Sequence, residues 1–313
     1  MVVGTWNLEN LFRPGSDAGP GDEKVYEAKL AELARVIGNI DPDVLAVQEV
    51  GDPEALDDLR ELLDGDWQAE TSEFRDRRGI RVGFLSRLEL AEVDQVRAFP
   101  EHVAPVQVDD EGATVAQMAR GALRARVSAE GHDVDLVNCH LKSKLLTFPG
   151  GRFQPRDEGE RARFGAYALY RRTAEAVTVR RYADELLDGE GRDRAVIVLG
   201  DLNDEPPAAT TQILLGPPGS EIGTPGFGSA DRGDAWRLWN LAPLIPAERR
   251  FSRRFRGRGE LIDHVLVSHA LVHHVEQADT DPVEPPSITE DPTDRRDEPA
   301  SDHAPVWARF DLG

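Results

Sequence analysis

The chain has 313 residues, 37 basic and 58 acidic, giving a net charge of −21, and 40% of its residues are hydrophobic. This length and balance fit a folded protein with a sizeable core, exclude disorder of the whole chain, and leave no run near the roughly 20 apolar residues of a membrane span. The single cysteine, Cys139, excludes an intrachain disulfide and a multi-thiolate metal site, so any metal must be held by oxygen and imidazole.

Val2 to Trp6 is a short apolar run without helical spacing and predicts a strand. Leu30, Leu33, Ile37 and Ile40 recur at three- and four-residue steps and predict a helix over Val25 to Ile40. Asp43 to Gln48 is a second buried strand, and proline opens a short helix over Pro53 to Leu63. Trp67 to Glu70, Ile80 to Ser86, Leu90 to Arg97, Ala122 to Ser128 and Val134 to His140 are strand-like and joined by loops, a meander in the middle third. Arg161 to Leu187 is periodic and predicts a long helix. It leads into the fully apolar strand Ala195 to Leu199, after which Pro206 and Pro207 open a short helix. Gly216 to Asp234 is a Gly- and Pro-rich loop, and Leu261 to Ser268, Leu271 to Val275 and Ala304 to Phe310 complete the strands. Glu276 to Asp302 holds ten acidic residues, two basic residues and five prolines, so a mobile loop is expected over about 276–300. No linker divides the strands into self-sufficient groups, which points to one α/β domain over 1–313. The N-terminal stretch MVVGTWNLEN has no signal-peptide pattern, and a cytoplasmic, monomeric protein without a stable protein partner is expected.

Several strands run into an Asn, Asp, Glu or His that the apolar pattern does not call for. These are Asn7 and Glu9 in TWNLEN, Glu49 in AVQEV, His140 in NCHLKS, Asp201 and Asn203 in GDLND, Asp263 in LIDHVLVS, and Asp302 with His303 in SDHAPV. A carboxylate at a buried strand end is costly unless it is paired, hydrogen-bonded or on a cation, so this many point to convergence on a metal. His264 follows Asp263 on one strand, so only one of the two enters such a site. His102, His132, His269, His273 and His274 lack ligand spacing and are assigned to surface or packing, as Trp6, Trp236 and Trp307 are to packing and loop anchoring.

In order and context these motifs resemble the endonuclease/exonuclease/phosphatase superfamily, and the resemblance runs from Thr5 to Val306. It implies a four-layer α/β/β/α sandwich, with two mixed β-sheets packed face to face and helices outside, and phosphoester hydrolysis dependent on Mg²⁺ or Mn²⁺. It assigns metal binding to Glu49, Asn7, Asp302 and Glu9. It pairs His303 with Asp263 to prepare water or support the pentacovalent transition state, and makes His140 a phosphate contact or general acid. Asp201 orients or deprotonates the nucleophile while Asn203 donates to a phosphate oxygen. The general base and acid stay open at this level.

Only four basic residues are lysines, Lys24, Lys29, Lys142 and Lys144; the rest are arginines, suited to two-pronged phosphate contact. Arg75 to Arg81, Arg152 to Arg163 and Arg249 to Arg258 cluster beside motif-bearing strands, and Lys142, Arg81, Arg254 and Arg256, with Asn7 and Asn203, are the candidate phosphate contacts. If they rim a cleft, even a strongly acidic protein offers a positive funnel to a polyanion. The expected activity is therefore a metal-dependent nuclease, DNA favoured over RNA. A phosphatase or a phospholipid or inositol phosphate phosphoesterase on the same scaffold is the alternative, and a catalytically silent binding protein the second.

Overall fold

The computed structural model describes residues 1–16, 18–281, 285–289 and 295–313. In chain order they form β1 (Val2–Leu11), α1 (Glu23–Ile40), β2 (Val44–Val50), α2 (Pro53–Glu61), β3 (Gln68–Thr71), β4 (Arg81–Ser86), β5 (Ala91–Ala98), β6 (Val106–Gln107) and β7 (Thr114–Val115). There follow β8 (Gln117–Ala129), β9 (His132–His140), α3 (Glu158–Leu187), β10 (Ala195–Asp201), α4 (Ala209–Leu215) and β11 (Leu238–Asn240). The chain ends with β12 (Arg253–Phe255), β13 (Arg258–Glu260), β14 (Asp263–Ser268), α5 (His269–Val272), β15 (Val275–Thr280), β16 (Ser287–Ile288) and β17 (Val306–Phe310). Two six-stranded mixed sheets dominate, ordered β15-β17-β1-β2-β4-β3 and β11-β14-β10-β9-β8-β5, beside a small sheet β13-β12-β16 and the hairpin β6-β7.

Two-residue alternation decides the layers. On β2, Val44 and Ala46 join the core between the sheets, whereas Leu45 and Val47 face Leu33, Ile37, Leu56 and Leu59 of α1 and α2. On β10, Ile197 and Leu199 enter that same inner core, and Val196 and Val198 pack with Val179, Ala183 and Leu187 of α3. Strands buried on both faces read as continuous apolar runs, which is why AVIVL and DVLAV carry no polar alternation. The result is the expected four-layer α/β/β/α sandwich. Side-chain caps start its longest helices: Asp22 accepts from Val25 N at 3.0 Å and Asp157 from Glu160 N at 2.8 Å. Among the described residues no helix is long and apolar enough to cross a membrane.

Three expectations change. The middle third is not one meander: β3 and β4 belong to the first sheet and β5, β8 and β9 to the second, the chain crossing between Ser86 and Ala91. Leu271 to Val275 is not a strand; the helical turn α5 buries Leu271 and Val272 while carrying the chain from the second sheet to the first. Nor is 276–300 one loop. Residues to Thr280 belong to β15 and pair with β17, and Ser287–Ile288 pairs with β12, since backbone ladders order even a proline-rich acidic stretch. Residues 282–284 and 290–294 of that expected loop lie outside the described residues.

A buried polar tie joins the sheets near their common end. Gln48 of β2 donates to Asn138 Oδ1 at 2.7 Å and to Thr5 Oγ1 at 3.0 Å. Asn138 of β9 donates in turn to the carbonyls of Val47 at 3.0 Å and Gly83 at 2.7 Å. Both amide side chains are fully buried, and Asn138→Ala would leave the two carbonyls without this donor and remove one Gln48 partner. We expect a loss of about 3 kcal/mol in urea unfolding, from leaving such groups unmatched. A change below about 0.5 kcal/mol, the range of ordinary surface substitutions, would show that the tie carries no stability.

Candidate active site

Strand parity brings the singled-out side chains to one end of the inter-sheet core. Val265 and Val267 of β14 face inward, so Asp263 does; Ile197 and Leu199 of β10 do, so Asp201 follows. The same count carries Val134 and Leu136 of β9 on to Asn138 and His140, and Val3 of β1 on to Thr5 and Asn7. Asp201 pairs in register with His140 on one side and Asp263 on the other. His264 has the opposite parity: Asn240 Nδ2 donates to its Nδ1 at 3.1 Å and its Nε2 donates to Asp204 O at 2.9 Å, a packing role.

The backbone is strained here. Between the pairs Asn7/Gln48 and Leu11/Val50, β1 holds three residues and β2 one, Glu49, so both strands kink. Glu9, Asn10, Glu49 and Asn203 have positive φ, at 50°, 54°, 61° and 54°. Left-handed backbone costs a non-glycine residue about 1–2 kcal/mol, a strain that gathers where side-chain direction matters.

At the centre, His303 Nδ1 lies 2.7 Å from Asp263 Oδ2, with both side chains buried. Burial disfavours a charged ring, but the charges of Asp263 and Asp302 outweigh it and push His303 from 6.5 up to about 10. The imidazole is therefore protonated at neutral pH. Asp201 moves oppositely to most carboxylates: burial, then the Asp263 charge, push it up to about 7. Asn7 Nδ2 donates to Asp201 Oδ2 at 3.1 Å, Asn203 N donates to Oδ1 at 2.9 Å, and His140 Nε2 lies 3.3 Å from Oδ2. Burial and the positive charges of Arg120 and His303 hold His140 well below 6.5, so it is neutral. His140 Nδ1 and Asp263 Oδ1 are buried without hydrogen-bond partners among the described residues. Ser301 Oγ supports the arrangement, donating to Asn7 O at 2.7 Å and accepting from His303 N at 3.0 Å.

A second group of carboxylates stands beside this pair. Asn10 N donates to Glu49 Oε2 at 3.0 Å, and Asp302 Oδ1 lies 4.0 Å from His303 Nε2. Glu9 faces Asp302, whose backbone N donates to Glu9 Oε2 at 2.8 Å; burial and the Asp302 charge push Glu9 up to about 7, against Arg295 and Lys29. Donor atoms of Asp201, Asp263 and His303 also lie within 4.8 Å of one another. A ring protonated and engaged by Asp263 is a poor metal ligand, whereas Glu49 and Asp302 offer the hard oxygens that Mg²⁺ or Mn²⁺ takes. The donor set fits such an ion.

The arginine clusters are mostly paired with their neighbours. Arg152 meets Glu160 at 2.8 Å, Arg163 meets Asp110 at 2.9 Å, and Arg161 pairs with Glu158 on the helix surface. Arg249 pairs with Asp279, and Arg253 lies 3.5 Å from Glu260. Of the candidate phosphate contacts, Arg254 stacks 4.6 Å from the Phe251 ring and Arg256 lies 5.5 Å from Phe255. Lys142 Nζ donates to the carbonyls of Ser143 at 2.9 Å and Leu145 at 3.0 Å, and burial with Arg120 and Arg171 lowers it to about 8. Arg81 lies opposite Val50, lowered by burial and by Arg75. Sequence reasoning missed Arg120, which donates to His140 O at 3.4 Å, and the buried Lys29, which faces Glu9, Asp302 and Glu49. A lysine three residues after Tyr26 and four before Leu33, inside the apolar stripe of α1, was the available signal.

Removing the Asp263 charge tests this electrostatic account. In metal-free Asp263→Asn, the His303 titration followed by NMR should fall from about 10 toward or below 6.5. A midpoint unchanged from the parent protein would refute the pairing as its cause.

Comparison with known proteins agrees with this architecture. The model of the Endonuclease/Exonuclease/phosphatase family matches residues 4–303. No curated protein matches the sequence significantly. Among solved structures, the 3′-5′ exonuclease (NExo) from Neisseria meningitidis superposes with a TM-score of 0.54 at 19% identity, covering 100% of both chains. Truncated Caenorhabditis elegans TDP2 gives 0.56 at 16% identity, covering 99% of this chain and 96% of that one. Bacteroides thetaiotaomicron mannosyl-6-phosphatase Bt3783 gives 0.58 at 14% identity and 100% coverage of both. Such identities show the shared fold alone. With its family model matched over nearly its whole length, the chain belongs to the Endonuclease/Exonuclease/phosphatase family.

Proposed function

We propose that the protein is a divalent-metal-dependent phosphodiesterase that hydrolyses nucleic acid, with DNA favoured over RNA. The carrying observation is the buried Asp263–His303 pair beside Asp201, ringed by the Asn7, Asn203 and His140 side chains. A phosphodiester repels a nucleophilic water until its non-bridging oxygens are neutralised, and this ring supplies fixed donors for that purpose. His303, protonated and oriented by Asp263, would stabilise charge on the phosphorane through Nε2–H rather than take a proton. Asp201, pushed up to about 7, has the basicity to take the proton of the attacking water near neutrality. Neutral His140 would hydrogen-bond a phosphate oxygen and is not the general acid. Glu49 and Asp302 would hold a divalent cation, which when bound supplies charge neutralisation at phosphate oxygens.

Arg254 and Arg256, each beside a phenylalanine on the β12 side, support a polyanionic and aromatic substrate such as a nucleic acid strand. Family neighbours titled as an exonuclease and as a 3′ phosphatase bound to a DNA hairpin favour the same substrate class. The depth of the site favours a second reading, a terminal phosphomonoester, since Asp201, Asp263 and His303 are each at most 5% exposed.

The test is turnover with and without Mg²⁺ or Mn²⁺ on plasmid DNA, single-stranded RNA, inositol phosphates, a 3′-phosphorylated oligonucleotide and bis-p-nitrophenyl phosphate. Metal-dependent cleavage of DNA is expected, with Glu49→Gln and His303→Ala each lowering turnover by about 10²–10⁴ while far-UV circular dichroism is unchanged. Selective release of the 3′ phosphate would replace the nuclease reading with the phosphatase one. Near-normal turnover in both variants would overturn the site.

A further inference from the structure

Glu9 sits where a second metal ligand is expected, yet its carboxylate is already engaged by protein donors. Arg295 Nε donates to Glu9 Oε1 at 2.8 Å and Arg295 Nη2 to Oε2 at 3.1 Å, a two-pronged contact. Oε2 also accepts from the backbone of Asp302 at 2.8 Å, and the same Nη2 donates to Ala300 O at 2.6 Å. The side chains of Arg295 and Glu9 are 17% and 11% exposed. Nor is the arginine loosely tethered. Its neighbour Arg296 donates to Gly19 O at 2.6 Å, and Asp297 Oδ1 accepts from Gly21 N at 2.8 Å, so three consecutive residues are fastened to the segment before α1 and to β1.

Lys29 adds a second internal cation. It is 5% exposed on α1 and its charge acts on Glu9, Asp302 and Glu49. When ionised, those three carboxylates carry three negative charges against two from Lys29 and Arg295. One divalent cation leaves a single positive charge, matched to the single negative charge of a phosphodiester. Two would leave three uncompensated positive charges in a buried recess and would have to displace a two-pronged guanidinium.

We propose that Arg295, backed by Lys29, is a built-in cation that withdraws Glu9 from metal binding, so that the site takes one divalent ion on Glu49 and Asp302. Arg295 is then a positioning residue: through Glu9 it fixes the backbone of Asp302, the metal-holding carboxylate. This extends the phosphoesterase reading, from which it takes only that the site binds a divalent cation.

The experiment counts Mn²⁺ bound per full-length chain at pH 8 by calorimetry and by electron paramagnetic resonance of free Mn²⁺, with bis-p-nitrophenyl phosphate turnover followed in parallel. The parent protein should bind one ion. Glu49→Gln should weaken it more than tenfold, and Glu9→Gln should stay within about threefold of the parent. Arg295→Gln should free Glu9 and raise the count toward two, while Arg295→Lys, which keeps the charge, should return it to one. Two ions in the parent, a Glu9→Gln loss equal to that of Glu49→Gln, or an Arg295→Gln variant unchanged in count and affinity would each overturn the proposal. The parent count and Glu9→Gln decide the matter even if Arg295→Gln fails to fold. One bound ion without turnover would defeat the phosphoesterase reading and leave this one standing; two ions with turnover would do the reverse.

Discussion

The hydrogen-bonded bridge between Gln48 and Asn138 is the constraint around which the site is organised. A sandwich interior tolerates amide side chains only when their polar groups are matched, and here two amides from opposite sheets match each other and two main-chain carbonyls. The bridge lies where the apolar interior gives way to the polar end. Glu49 is the residue after Gln48 on β2, and His140 lies two after Asn138 on β9, so each is positioned from one side of the bridge. The carbonyls it satisfies, of Val47 and Gly83, lie beside the shift in β2–β4 register between Val47 and Val50, where strand pairing alone loses its regularity. Fixing the two sheets there restrains the facing side chains.

Much of this was legible in advance because strand parity and motif order are local properties. Once Ile197 and Leu199 are placed inward, Asp201 has one available direction, and Asp263 follows from Val265 by the same count. The contacts that escaped notice are those whose partners lie far away in the chain. Arg295 and Glu9 are 286 positions apart, and the arginine sits in a stretch whose composition predicts mobility. The composition of that stretch was a fair description of its side chains but silent on ladders formed with distant strands. Lys29 was missed for another reason: its place in the apolar stripe was visible, but a long side chain at such a position can carry its charge to the surface or into a site.

Arginine density proved a poorer guide than arginine partners. Arg152, Arg161 and Arg163 lie near the His140 motif in sequence, yet each finds an acidic residue close at hand, as expected for a chain with so many carboxylates. The positive charge that acts on His140 instead comes from Arg120, on the neighbouring strand β8, together with His303 and Arg78. Electrostatic readings of sequence therefore need the counterions as much as the cations. In the site the acidic excess is balanced by particular groups: a protonated ring for Asp263, a guanidinium for Glu9 and an internal ammonium for the carboxylates around α1.

The scarcity of lysine makes the protein a convenient target for amine-selective chemistry. Of its four ε-amino groups, Lys24 and Lys144 are exposed while Lys29 is buried and Lys142 half-buried. An acylating reagent would mark the outer pair first, and the rate at which it reached Lys29 would record how often α1 parts from the carboxylates beneath it. Each chain thus carries an internal reporter on the opening of its own reaction chamber, with no dye or cysteine added.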